Sequence, residues 1–514
     1  MKLLDCTIRD GGYYNLWDFN ESTVTNYLRD INSLPIDYIE IGYRSLPEDE
    51  YLGEYFYLPK SRIKKISSLT TKNLVFILNE KNTRIEDLEE LIGGLQEHIQ
   101  MVRIAIDPNN LSRSLKLVSE IKNYGYEVAV NVMYLSKWDL SDSIFIDGIR
   151  NLDKSGADVF YLVDSYGGIY PDDLSDIISE IKKLTNVPLG FHGHNNLELA
   201  LINTITAIKE GVEFIDSTIM GMGRGAGNLK TELLLTYLSK SLNLKVNFDS
   251  LGKLVEEFQV LMDQYHWGTN LPYMISGISN LPQKQVMEWI TDKTYSYTSI
   301  TNALISHQEN QRTFPDFIST DYQFKQSIIV GGGPSAEKNV DYIKKLIEIN
   351  PDTVIIFASS RFSDLYKEIS TPKFFILVGE EGKRTTYSKE FCKDNDHVAI
   401  VPRGPRAIKS YIPCIINEIN IYELENSIFD KELIDNQTAM ALDLSNQISK
   451  SIFLIGYDGF SGKDINPKQH RHSILNYHLF DIFQNRTNLV LKSLTQTKYS
   501  NIKIESIYSI LTNA

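Results

Sequence analysis

The sequence predicts an α/β chain: an N-terminal (β/α)8 TIM barrel with a helical appendage, followed by a C-terminal Rossmann-like α/β domain. Three observations predict it. Eight short β-branched runs alternate with helix-length segments over about the first 220 residues. Most of those runs are apolar at consecutive positions, as in a parallel sheet covered on both faces. Near Lys325 a new apolar strand, SIIVGGGPS, runs into a glycine turn and opens a second alternation.

The barrel strands expected are Leu3–Thr7, Tyr38–Gly42, Leu74–Leu78, Met101–Ile106, Glu127–Met133, Val159–Asp164, Pro188–His192 and Phe214–Ile219. Helix-length patterns such as Ser22–Leu34, Leu111–Tyr124, Leu174–Leu184 and Leu197–Glu210 lie between them, and an eighth follows at Leu229–Leu242. Eight equal repeats favour closure over an open doubly wound sheet. Residues 1–245 are therefore assigned to the barrel. Residues 246–325 read as a helical appendage, with Leu254–Tyr265 and Gln283–Thr291 helical. Residues 326–514 form the Rossmann-like domain, with strands Ser327–Val330, Thr353–Phe357, Phe374–Val378, His397–Val401 and Ser451–Ile455.

The 514 residues are 42% hydrophobic and 23% charged, which supplies real cores and excludes a disordered chain. A net charge of −14 disfavours nucleic acid and anionic membrane as partners. Three scattered cysteines (Cys6, Cys392, Cys414) make neither a disulfide framework nor a zinc cluster, so a cytoplasmic location is expected. MKLLDCTIRDGG does not read as a signal peptide, and no apolar run is long enough to span a bilayer. The partners expected are small-molecule substrates; a homo-oligomer is compatible with the sequence.

Chemistry in such a barrel sits at the C-terminal ends of the strands. Strand one ends in Thr7-Ile8-Arg9-Asp10-Gly11-Gly12, strand two in Glu40-Ile41-Gly42-Tyr43-Arg44, and strand seven in His192-Gly193-His194-Asn195-Asn196. Strand eight is followed by Gly221-Met222-Gly223-Arg224-Gly225-Ala226-Gly227-Asn228. Residues two apart on a strand share a face, so His192 and His194 both point to the barrel mouth. Strands seven, eight and one are neighbours in a closed barrel. Asp10, His192, His194 and Asn228 can therefore converge on a divalent metal with open positions. Without a cysteine ligand, Mn²⁺, Mg²⁺, Co²⁺ or Zn²⁺ is expected in place of a structural zinc.

DCTIRDGG, HGHNN and GMGRGAGN together resemble the metal-dependent lyase and aldolase superfamily. That superfamily includes hydroxymethylglutaryl-CoA lyase, isopropylmalate synthase and 4-hydroxy-2-oxovalerate aldolase. The resemblance covers roughly residues 1–300 and is closest to the hydroxyketoacid aldolase branch. RDGGYYNLWDF and IEIGYRS further resemble aldolase-domain proteins of surface-polysaccharide loci. The resemblance implies that Asp10, His192 and His194 are metal ligands, with Asn228 a fourth, and Mn²⁺ the first expectation. It implies that Arg9 binds the keto acid and its enolate oxygen. The branch carries a histidine three residues after the metal-binding aspartate; here that position is Tyr13. The acid/base role then falls to Tyr13, a metal-bound water or another group.

Breaking a bond beside a ketone passes through an enolate, whose charge a Lewis-acidic metal and the Arg9 guanidinium stabilise. Glu40 is a candidate partner of Arg9. Arg44 is a candidate for an anionic substrate tail, and Asn131, Tyr134, Asp164, Ser165 and Tyr166 are candidates to line the pocket. Arg103 reads first as a buried ion-pair partner.

In the C-terminal domain, Gly331-Gly332-Gly333-Pro334-Ser335 joins a strand to a helical run, Ala336–Asn350. This junction suits a phosphate but is neither a Walker loop nor a dinucleotide fingerprint. With the helix-like run from Asn436 and the GYDG turn, it resembles 6-hydroxymethylpterin diphosphokinase-like Rossmann domains and, more distantly, sialyltransferases that use CMP-sugars. That resemblance makes Gly333, Ser335 and Asp458 candidates to hold a nucleotide or sugar nucleotide. His470 and His472 read as a polar loop.

The function expected is a divalent-metal-dependent aldolase or lyase. It joins or splits an α-keto acid, pyruvate first, and an aldehyde, a sugar among the candidates. The rivals are a Claisen-type acyltransferase using acetyl-CoA, and a non-catalytic barrel with a nucleotide-binding or transferase C-terminal domain.

Overall fold

The computed structural model describes residues 1–49, 51–292, 295–306, 314–384, 397–404, 406, 408, 410–413, 420–425, 428, 429, 433, 436–460 and 467–512. Cys392 and Cys414 lie outside the described residues. The chain divides into two compact units, Met1–Thr291 and Asp292–Ala514. The segment 246–325 is thus shared between them. Helices Phe248–Tyr265 and Leu271–Ile278 belong to the first unit.

In the first unit eight parallel strands close in sequence order. They are β1 (Lys2–Asp5), β2 (Tyr38–Tyr43), β3 (Asn73–Asn79), β4 (Met101–Ile106), β5 (Glu127–Val132), β6 (Val159–Asp164), β7 (Leu189–Gly193) and β8 (Phe214–Ser217). β8 pairs back onto β1, with Leu3 opposite Ile215 and Leu4 opposite Asp216. This is the TIM barrel that the eight alternations predict.

Alternation along each strand decides what faces the helices and what fills the bore. Leu3, Ile39, Val102 and Phe160 pack outward in the large core. Leu4, Tyr38, Val75, Met101, Ala129, Val159 and Tyr161 form a separate cluster inside the barrel. Nearer the C-terminal ends of the strands, the bore-facing positions change character. Glu40, Arg103, Asn131, His192 and Asp216 stand there, all buried. An apolar floor thus carries an ionic layer.

β1 stops at Asp5, whose carboxylate organises the turn. It accepts hydrogen bonds from the Thr7 N–H (3.0 Å) and from the hydroxyls of Tyr27 (2.6 Å) and Thr231 (2.8 Å). The first strand was expected over Leu3–Thr7, with Arg9 and Asp10 at its end. Thr7–Asn15 is instead a helix, with Arg9 and Asp10 in its first turn. The short hydrogen bonds of Asp5 fix where that helix starts, and so where both side chains stand.

The second unit holds β9 (Phe324–Val330), β10 (Thr353–Phe357), β11 (Lys373–Ile376), β12 (His397–Pro402), β13 (Asn420–Leu424), β14 (Ser449–Ile455), β15 (Lys492–Ser493) and β16 (Lys503–Ile504). They form one sheet in the order β13-β12-β11-β10-β9-β14-β15-β16. Apolar clusters cover both faces. The winding reverses between β9 and β14, where parallel sheets open a crevice at their C-terminal ends. A crevice of about 560 Å³ lies there, between Gly331, Ser359 and Gly456. Among the described residues, no helix is long and apolar enough to cross a membrane.

Candidate active site

The ionic layer of the barrel closes into a ring with helix Thr7–Asn15. Nδ1 of His192 lies 2.9 Å from Oδ2 of Asp216. That oxygen also accepts from Nη2 of Arg103 at 2.6 Å. Nη1 of Arg103 is 3.2 Å from Oε2 of Glu40, which accepts from Nε of Arg9 at 2.6 Å. Arg9 is ion-paired with Asp10, and Oδ2 of Asp10 returns to within 3.4 Å of Nε2 of His192. A buried charge network of this kind contributes little net stability, but losing one member is costly. Its use here is orientation: the carboxylate on Nδ1 fixes the His192 ring and leaves Nε2 toward Asp10.

Protonation states follow from the surroundings. Burial alone would raise Asp10, but Arg9, His192, His194 and the Asn228 amide outweigh it and hold the carboxyl at about 2. Asp216 is likewise lowered, with Arg103 and His192 overcoming burial. Burial, then the neighbouring His192, pushes His194 well below the ordinary imidazole range, so it is neutral near pH 7.

The four residues expected to ligate a metal are brought together. His194 and Asn228 face each other through a backbone bridge. The two imidazole centroids are 5.2 Å apart, and Nδ2 of Asn228 is 2.6 Å from Oδ2 of Asp10. Nδ1 of His194 and Oδ1 of Asn228 are buried without a hydrogen-bond partner. Two unpartnered polar atoms, an ionised carboxylate and the neutral His194 imidazole fit a divalent cation. The alternative set of Cys6, His192 and Asp216 also has its donor atoms within 4.8 Å of one another. Burial, then Asp10 and Asp216, push the Cys6 thiol well up, so it is protonated. The Asp10 side is therefore the favoured one.

The other expected residues fall into two groups. The Tyr13 hydroxyl is 3.0 Å from that of Tyr43, and its ring meets Trp17 edge-on at 4.9 Å. Glu40 is buried and holds Arg9. Asn131 instead accepts from Nε of Arg103 (3.2 Å) and steadies the ring. Asp164 accepts from the Gly168 N–H (3.2 Å), and burial raises its carboxyl to about 7. Ser165 accepts from the Tyr134 N–H (2.9 Å). Arg44, expected to meet an anionic tail, has another task. It donates to the carbonyls of Leu91 (2.6 Å), Tyr57 and Leu58 (2.8 Å each) and Glu90 (3.1 Å), tying two loops together.

The chain after residue 246 braces the loops behind the site. Nε1 of Trp267 donates to the Met220 carbonyl (3.0 Å), and Oγ1 of Thr269 to the Asn196 carbonyl (2.9 Å). Nδ2 of Asn196 donates to the Tyr273 carbonyl (2.9 Å).

In the second unit, Gly333, Ser335 and Asp458 do meet. The Ser335 hydroxyl donates to Oδ2 of Asp458 (2.9 Å) and accepts from the Gly456 N–H (3.0 Å), while the Gly333 N–H donates to the Gly456 carbonyl (2.8 Å). The Asp458 carboxylate thus lies against the start of the helix that follows the glycine junction. His470 and His472, read as loop, fall in helix Pro467–Thr487.

Asp216, Cys6 and Arg224 were missed. Asp216 had a signal: it is an acid among apolar neighbours in a buried strand, as Arg103 is in its own.

Known proteins resemble the N-terminal part of this chain. The family model described as HMGL-like matches residues 1–256. A 4-hydroxy-2-oxovalerate aldolase from Geobacillus genomosp. 3 is 30% identical, covering 51% of this chain and 77% of its own length. An oxaloacetate decarboxylase from Mycobacterium tuberculosis is 29% identical, covering 46% of this chain and 70% of its own. The crystal structure of the N-terminal domain of a candidate aldolase from Bacteroides vulgatus is 52% identical, with a TM-score of 0.56. It covers 59% of this chain and all of that domain. The fold and these relatives define a metal-dependent C–C lyase. The chain belongs to the HMGL-like family.

Proposed function

We propose that the first unit makes or breaks a C–C bond between an α-keto acid, pyruvate first, and an aldehyde, with a sugar among the candidates. The observation that carries this reading is the pairing of Arg9 with the donor set. Its guanidinium is gripped by Asp10 and Glu40 beside His192, His194 and Asn228.

Asp10, His192, His194 and Asn228 would hold the divalent ion, Mn²⁺ before Mg²⁺, Co²⁺ or Zn²⁺. When bound, the ion supplies Lewis acidity toward the keto-acid oxygen. Half a turn of the Asn228 amide exchanges its N–H donor for its unpartnered oxygen. Arg9, rigid between two carboxylates, faces the negative charge that develops on the enolate oxygen; a donor fixed in advance is worth about 3–4 kcal/mol. Tyr13, half-buried beside Tyr43, takes the proton of the hydroxyl being cleaved as the phenolate, its own phenolic proton having first passed to solvent. Asp164 and Ser165 line the mouth from the end of β6. Arg44 has no part in this reading.

The test is deuterium exchange into the methyl group of pyruvate by enzyme supplied with Mn²⁺ or Mg²⁺. Metal-dependent exchange is the expected result, and its absence in metal-replete enzyme overturns the reading. Turnover of acetyl-CoA with a keto acid would instead favour the Claisen-type acyltransferase.

For the second unit we infer a nucleotide or sugar-nucleotide site in the crevice between β9 and β14, supported by its place where the winding reverses. Equilibrium dialysis of the full chain against nucleotides and sugar nucleotides tests it; no retention of any of them removes it.

A further inference from the structure

Arg224 occupies the loop between β8 and the helix Thr231–Ser241, and nothing in the mechanism above uses it. Its guanidinium lies 5.3 Å from the centre of the Tyr13 ring. Nε is buried without a hydrogen-bond partner, and no carboxylate among the described residues pairs with it. A guanidinium presents five donors in a planar fork, and a buried donor left unpaired is costly. Arg9 and Arg103 show the contrast, since each is matched by two carboxylates.

The backbone that carries Arg224 is held on both sides. Gly223 lies so close to the Asn228 amide that a Cβ would come within 2.6 Å of its nitrogen. Gly225 has φ +66°, and its carbonyl accepts from the Tyr14 hydroxyl at 2.8 Å. The guanidinium therefore projects from a fixed base beside one of the metal-binding candidates.

A second wall faces it. Tyr134, held at φ +62°, stacks on Tyr166 with centroids 5.3 Å apart. A non-glycine residue in this conformation is retained where surroundings impose it, commonly at functional sites. Nζ of Lys137 sits 4.8 Å from the centre of the Tyr166 ring, exposed at the rim and likewise without a carboxylate partner among the described residues. Electrostatics places Arg224 among these groups. Burial raises Tyr134 while the Arg224 charge opposes it.

Two unmatched cations beside aromatic faces make a receptor for an oxyanion on a carbon skeleton. Arg9, matched by Asp10 and Glu40, is given to the keto acid in the reading above, so the second anion is assigned to the other substrate. We propose that Arg224, with Lys137 at the rim, binds an anionic group on the aldehyde. The lyase then acts on phosphorylated or carboxylated aldehydes in preference to neutral ones. This rests on the aldol reading above and names the substrate class for it.

The experiment uses the full-length enzyme with Mn²⁺ and pyruvate. Aldose phosphates, uronic acids and neutral aldoses of matched chain length are offered as acceptors, and products are measured by mass spectrometry. An anionic acceptor should be preferred on the order of 100-fold in kcat/KM, mainly through KM, as expected for charge-assisted hydrogen bonds of about 1.5–3 kcal/mol. Preference for the phosphates assigns a phosphate-bearing aldehyde; preference for the uronic acids assigns a carboxylate-bearing one. In Arg224→Gln that preference should collapse. Arg224→Lys should restore part of it, and Lys137→Gln should weaken it less, which separates a binding role from a failure to fold. Equal kcat/KM for charged and neutral acceptors in the wild-type enzyme overturns the proposal. Failure of the wild-type enzyme to exchange the pyruvate methyl overturns the aldol reading itself, so the two failures are told apart.

Discussion

Arg103 and Asp216 come from β4 and β8, strands that are not neighbours in the barrel, yet their side chains meet at 2.6 Å. The contact therefore runs across the bore. It ties the placement of His192 to a strand on the far side of the molecule.

Arg103→Met leaves Glu40 and Asp216 buried with one cation fewer between them. Removing one partner of a buried network typically costs about 3–5 kcal/mol. Urea denaturation should show a loss of that order. The double variant Arg103→Met with Asp216→Asn should regain part of it, because one of the stranded charges is gone.

Asp216→Asn tests orientation. The amide keeps the size of the carboxylate but holds the His192 ring less firmly. Partners of ligating histidines are worth about 10–100-fold in metal affinity. Titration calorimetry with Mn²⁺ should show a drop in that range; an unchanged affinity would argue against the Nε2 side of His192 as the metal side.

Asp10→Asn removes the ionised carboxylate of the donor set and half of the grip on Arg9. Exchange of the pyruvate methyl should fall on the order of 1,000-fold. The variant should still unfold cooperatively, since Glu40 continues to hold Arg9.

Asp164 gives a pH signature. Its carboxyl is raised by burial to about 7 in the folded protein, against an ordinary value of 3.8. Below about pH 4 it is protonated whether the chain is folded or not, and it contributes no pH dependence. Between about pH 4 and 7 the unfolded chain ionises more readily, so stability falls as pH rises, by at most about 4 kcal/mol, and then levels off. Asp10 and Asp216, both lowered, act in the opposite sense, with stability lost only as pH falls toward their own values. Asp164→Asn should therefore raise the melting temperature at pH 8 and change it little at pH 4. Calorimetric scans at both pH values check this.

The barrel was legible because every strand repeats one physical pattern, a buried run followed by an amphipathic helix. The donor set was legible because His192 and His194 share a face and the strands on either side close the ring. Three features were not. The helix Thr7–Asn15 begins at a hydrogen-bonded Asp5 whose partners, Tyr27 and Thr231, are far away in sequence. The partner of Asp216 across the bore, Arg103, lies 113 residues away, so the acid shows in its strand but its contact does not. Arg44 looked like an anion receptor from its position, but four carbonyls claim it. In the second unit, β15 and β16 are two residues each, too short to show any period.

The bracing of Asn196 and Met220 by Trp267, Thr269 and Tyr273 determines where this enzyme tolerates being shortened. A cut near residue 245 would leave eight intact strands and yet strip the support from the loops that carry His194 and Asn228. The stretch from Trp267 to Tyr273 is in that sense the outer buttress of the catalytic mouth, and an excised first unit has to keep it.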